Sequence, residues 1–172
     1  MVPDVAVGLT VLVCSVTDLK ERRIYNAVVY PSLLAAVVWG VFSNGWDGLA
    51  VTGGGALLGA ALLFLPFIAG GMGAGDVKMM AVVGAWKGAL FTAEAVLLGA
   101  LVGGVLAVLA AARARRLVEL GRNVLISLVT LLYFQGKLNP FARISENRGC
   151  VLTIPYGVAL AMGTVLAWFW RW

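Results

Sequence analysis

The chain has 172 residues, of which 62% are hydrophobic and 12% charged, and it contains no histidine. A compact soluble domain of this length needs a mostly polar skin, so the composition excludes one and implies a protein whose solvent is largely lipid. The formal charge of +5 sits in short clusters between apolar runs and lines no single face, which excludes a nucleic-acid surface and fits membrane topology.

In chain order, apolar runs predict spans at about residues 2–17, 27–43, 49–69, 77–91, 93–112 and 152–170. They describe an all-α, polytopic membrane helical bundle of about six transmembrane helices, forming one membrane-embedded domain over residues 1–172. The first run, Val5–Thr17, lacks a basic leading segment and a small-residue cleavage signature, and is expected to be a retained helix. Gly55 and Gly59, and Gly99 and Gly103, have the spacing that lets helix backbones approach closely in lipid. Residues 113–150 form a basic connection with an apolar stripe at Leu117, Leu120, Val124, Leu128 and Leu131, the pattern of an amphipathic helix on the cytoplasmic face. Its apolar part, Val124–Phe134, is too short to cross ~30 Å of hydrocarbon at ~1.5 Å per residue. Cys14 and Cys150 are too few and too differently placed for a disulfide framework or a metal site.

Of the thirteen Lys and Arg residues, all but Lys87 and Arg171 fall in connections on one side of this arrangement. The positive-inside asymmetry puts both termini outside and the connections carrying Asp18 and Asp76 on the cytoplasmic side. Asp4 and Asp18 bracket the first span, and the ~21 Å between them is less than the ~30 Å of hydrocarbon. Asp4, close to a terminus, is expected to bend outward, leaving Asp18 to dip below the surface. Asp76 follows an apolar span and precedes a stretch of only ~15 Å before Lys87, so it too lies near or within the membrane boundary.

Taken singly, Asp76 reads as a helix N-cap after glycine, and Asp18 as a solvated charge beside Lys20 and Arg22. Two carboxylates at one depth on one face carry a different meaning, because ionisable groups at membrane depth are costly and usually functional. Such a pair cannot easily ionise together; the charged member can activate water while the neutral one polarises a peptide carbonyl. The lack of histidine excludes a Ser/His or Cys/His triad and a histidine-ligated metal site.

The stretch "GAGD" at 73–76, followed by Lys78, resembles the G-x-G-D-x-K signature of the type IV prepilin peptidase family, membrane aspartic proteases that include archaeal preflagellin peptidases. "DLKERRIYN" at 18–26 is similar to that family's D-x-[KR]-x-x-x-I-P-N, and "IPYG" at 154–157 looks like its I-P-[FY]-[GA] segment. The resemblance departs at Tyr25 and Val158, where prolines are usual, and in the missing amino-terminal Cys-x-x-Cys pairs. It therefore implies the short, peptidase-only branch, without zinc, methylation activity or any cofactor. Carried over, it implies that Asp18 and Asp76 are the catalytic pair and that Gly73 and Gly75 let an extended substrate lie close to the loop. Lys78 is grouped with these substrate-binding positions, either orienting that loop, lowering the pKa of one aspartate, or simply marking the cytoplasmic boundary. The resemblance further implies prepilin-like substrates, cut at the cytoplasmic face near their apolar helix, and a place beside pilus or secretion machinery. Two competing readings are an ion- or proton-coupled transporter using Asp18 and Asp76, and a structural subunit of a secretion machine. The spans show neither the scattered mid-membrane polar residues nor the broken helices in matching halves that transport would require.

Overall fold

The computed structural model describes residues 2–21, 23–68, 72–115, 121, 122, 125 and 156–170. The regular structure among them is helical throughout: α1 (Val2–Glu21), α2 (Asn26–Ile68), α3 (Ala74–Lys87), α4 (Ala89–Arg113) and α5 (Tyr156–Trp170). Helices α1, α2 and α4 are long and apolar enough to cross a membrane. At 14 and 15 residues, α3 and α5 reach only ~21–23 Å of the ~30 Å required. The expectation of about six spans thus meets five described helices, three of them of spanning length, and the difference in number arises in α2.

A straight helix of 43 residues would run ~65 Å, about twice the hydrocarbon thickness. Instead α2 breaks at Asn44 and Gly45, where Gly45 takes a φ of 58° that side-chain-bearing residues rarely adopt. Gly40 and Gly48 would be ~12 Å apart along an uninterrupted helix, yet their backbones touch, and a Cβ on Gly48 would overlap the Gly40 carbonyl. The chain therefore folds back on itself at Asn44–Gly45. The apolar runs expected at 27–43 and 49–69 are the two arms of this hairpin.

The boundary expected near residue 92 falls at Gly88, whose φ of 80° turns the chain and whose N–H closes α3 by donating to the Gly84 carbonyl at 2.8 Å. The glycine spacings mark real contacts. Gly55 of α2 lies backbone to backbone against Gly84 of α3, Gly59 against Met80, and Gly99 of α4 against Gly163 and Leu160 of α5. Such approaches give dispersion contact and helix packing where lipid offers no hydrophobic drive. Helix α3 is enclosed by its neighbours: Met79, Met80, Val82 and Val83 are fully buried, as the uninterrupted apolar stretch from Met79 to Trp86 requires.

The chain divides into two compact units, one of residues 1–103 with 155–172 and one of residues 104–154. In the second unit, the end of α4 from Leu106 to Ala114 lines a shallow, mostly apolar cleft. All five residues of the amphipathic stripe expected within 113–150, Leu117, Leu120, Val124, Leu128 and Leu131, lie outside the described residues. Cys150, Ile154 and Pro155 also lie outside them.

Within the first unit α1 and α3 run in opposite directions, so Asp18 and Asp76 share one end while Asp4 and Lys87 share the other. Asp4 does not bend outward as expected; it sits in the first turn of α1 and forms an ion pair with Lys87. The Lys87 ammonium also stands over the rings of Phe91 and Trp168. Trp39, Trp46, Trp86, Trp168 and Trp170 lie on the halves of their helices toward this end, the interfacial position favoured by indole, whereas Tyr25, Tyr30 and Tyr156 lie toward the aspartate end. Midway, the Ser32 hydroxyl accepts from the Trp86 indole at 3.2 Å and pairs with Thr10 at 2.8 Å, linking α1, α2 and α3.

Candidate active site

The stretches "DLKERRIYN" and "GMGAGD" meet in space. Asp18, Arg23, Ile24, Tyr25 and Asn26 from the first, and Gly73 to Asp76 from the second, line a cleft of about 450 Å³. Asp18 comes from the last turns of α1, and Asp76 from the first turn of α3. Both carboxyl-bearing residues line this one cleft. The pair read from the sequence is thus brought to one cleft by two antiparallel helices.

Asp76 is only 7% exposed, and its position corrects the helix-cap expectation. Gly73 is the N-cap, and Asp76 stands three residues on, its Oδ2 accepting the Gly73 N–H at 3.2 Å. This is the back-reaching half of a capping box, with glycine unable to supply the other half. Helix formation itself therefore orients the Asp76 carboxyl.

Gly75 serves packing. A Cβ there would lie 2.8 Å from the Ile24 Cβ, so the missing side chain lets the two motifs dock on each other. Gly73 is exposed and lines the cleft, where its bare backbone leaves room. Lys78 is not among the cleft-lining residues. Its ammonium donates to the Asn26 Oδ1 at 2.9 Å and lies 5.6 Å from the centre of the Tyr30 ring, tying α3 to the start of α2.

Asp18 is held differently. Its Oδ2 accepts the backbone N–H of Gly157, in the first turn of α5, at 3.1 Å. Sequence reading gave "IPYG" no role, because the group concerned is a main-chain amide 139 residues away. Ile24 and Tyr25 were also missed as site residues, although both stand inside the quoted motif. The Tyr25 hydroxyl donates to Glu21, and that hydrogen bond pushes the phenol pKa upward, keeping it protonated at the cleft wall. Cys14, one turn before Asp18, is a buried free thiol.

Taken together, these features define a helical membrane protein with two carboxyls, each oriented by a backbone amide, in one cleft beside a glycine loop. The sequence model of the type IV leader peptidase family matches residues 5–108, well over half of the chain, and the chain belongs to that family. It is a leader-peptidase-like protease, a hydrolase. The matched region holds both aspartates and the glycine loop, while α5 lies beyond it. Neither a curated protein nor a solved structure matches the chain.

Proposed function

We propose that the protein is a membrane-embedded aspartic endopeptidase that removes the short basic leader from prepilin-like precursors. Asp18 and Asp76 act on the scissile peptide together: the ionised member takes a proton from water as it attacks, and the protonated member donates to the carbonyl oxygen. Proton transfer in each direction is then available without an imidazole. The observation that carries this reading is the meeting of Asp18 and Asp76 in one cleft, lined on one side by the backbone of Gly73 and Gly75. An extended peptide can lie against that backbone, and the cleavable bond of a precursor entering from the membrane would arrive beside the carboxyls.

The excess of Lys and Arg on the aspartate side supports a cytoplasmic active site in a multi-pass cell-membrane protein. Basic connections would repel a basic leader, so recognition rests on the precursor's apolar helix docking in the membrane. No nucleic acid is involved; the partners are the lipid bilayer, the precursor and, by the family's chemistry, a pilus or secretion machine. The transporter reading draws on the same two carboxylates.

The test is co-expression with a prepilin-like precursor, scoring leader removal for wild type, Asp18→Asn and Asp76→Asn. Loss of cleavage in both variants at normal membrane levels is expected. Cleavage at the wild-type rate in either one overturns the two-aspartate mechanism, and cation-dependent vesicle uptake with no cleavage by any form would establish transport instead.

A further inference from the structure

We propose that the Gly157 amide positions the Asp18 carboxylate for reaction, making the amino-terminus of α5 a third component of the site beside the two aspartate motifs. This rests on the reading of Asp18 as catalytic and adds to it a positioning residue from the far end of the chain.

Three observations converge. The Gly157 N–H donates to Asp18 Oδ2 at 3.1 Å, using one of the first-turn amides that a helix leaves without internal partners. The close approach depends on the missing side chain: a Cβ on Gly157 would lie 2.6 Å from that oxygen and 3.0 Å from the Asp18 Cγ, so the carboxylate would have to shift. The donor is also rigidly placed. Gly157, Ala159, Leu160 and Gly163 are buried, Gly163 and Leu160 lock α5 against Gly99 of α4, and Trp168 packs on Gly8 of α1.

The consequence is geometric. A carboxylate near the end of a helix can rotate about two side-chain torsions, and an N–H fixed on a packed helix removes that freedom for one oxygen. Asp76 is fixed by its own helix through Gly73, whereas Asp18, near the C-terminal end of α1 where the helix amides are already bonded within the helix, takes its N–H from α5. Because misplacement of a reacting group by ~1 Å can cost ~10²-fold in rate, losing this contact should lower turnover far more than substrate binding.

The test compares wild type with Gly157→Ala, which pushes on the carboxylate, and with a chain carrying glycolic acid at position 157, which replaces the N–H by an ester oxygen without added bulk. Each is purified in lipid nanodiscs and read in two ways: cleavage kinetics on a prepilin-like peptide, and the infrared carboxyl band of Asp18, identified by its loss in Asp18→Asn. The expected result is a fall in kcat of roughly 10- to 100-fold at nearly constant KM, with a shift of the Asp18 band in both forms. An unshifted band, or an ester form with wild-type kcat, overturns the proposal even if the alanine form fails to fold. If the band shifts but Asp18→Asn still cleaves, Gly157 positions Asp18 as proposed and the catalytic reading of Asp18 is what fails.

Discussion

At both ends of the first unit, a carboxylate on α1 faces α3. At the tryptophan-rich end Asp4 meets an ammonium, Lys87, and the charges cancel beneath the rings of Phe91 and Trp168. At the other end Asp18 meets a second carboxyl, Asp76, and each is held by a neutral backbone N–H, from Gly157 and Gly73. The first arrangement stabilises a helix register. The second keeps two acidic groups facing a cleft, an arrangement that costs folding free energy and that proteins retain at membrane depth chiefly for function.

The contrast makes distinct predictions for the two ends. The largest effect belongs to the aspartate end: Asp18→Asn and Asp76→Asn should each lower leader cleavage by at least ~100-fold in a peptide assay, with the helical circular-dichroism signal retained. Next comes packing between the ends. Gly84→Ala drives a Cβ into the Gly55 carbonyl and should lower unfolding free energy by about 1–3 kcal/mol, read by thermal denaturation in detergent. At the tryptophan end Lys87→Met leaves Asp4 without its ammonium, for an expected loss of about 1–2 kcal/mol and no change in cleavage per folded molecule. Exchanging the charges, Asp4→Lys with Lys87→Asp, should restore most of that stability. The smallest effect is Ser32→Ala, which removes the acceptor for Trp86 and the partner of Thr10; about 0.6 kcal/mol is expected from the same melting experiment.

Much of the aspartate end was legible in the sequence for a physical reason. Carboxylates beside apolar runs are rare, and the glycines before Asp76 announce close backbone approach. The packing glycines were legible as well: Gly55, Gly59 and Gly99 lie where their spacing placed them, although their partners Gly84 and Gly163 could not be known without the fold. The hairpin in α2 was harder to read. Residues 44–48 look like an ordinary connection, whereas the chain reverses by distorting two residues and otherwise stays helical. The contact between Gly157 and Asp18 was invisible, because every residue carries an N–H and only the fold decides which one is spent on a carboxylate. Asp4 was misjudged for a related reason: its partner lies 83 residues away, and although the topology puts both groups on one side of the membrane, only the fold shows that their helices pack together.

The measurement that tests the account most directly is a matched neutralisation. Asp4→Asn, Asp18→Asn and Asp76→Asn are purified in the same nanodiscs, and leader cleavage is expressed per folded molecule. The account predicts wild-type turnover for Asp4→Asn and at least ~100-fold loss for each of the other two. Equal losses in all three, or full activity in either Asp18→Asn or Asp76→Asn, would contradict it.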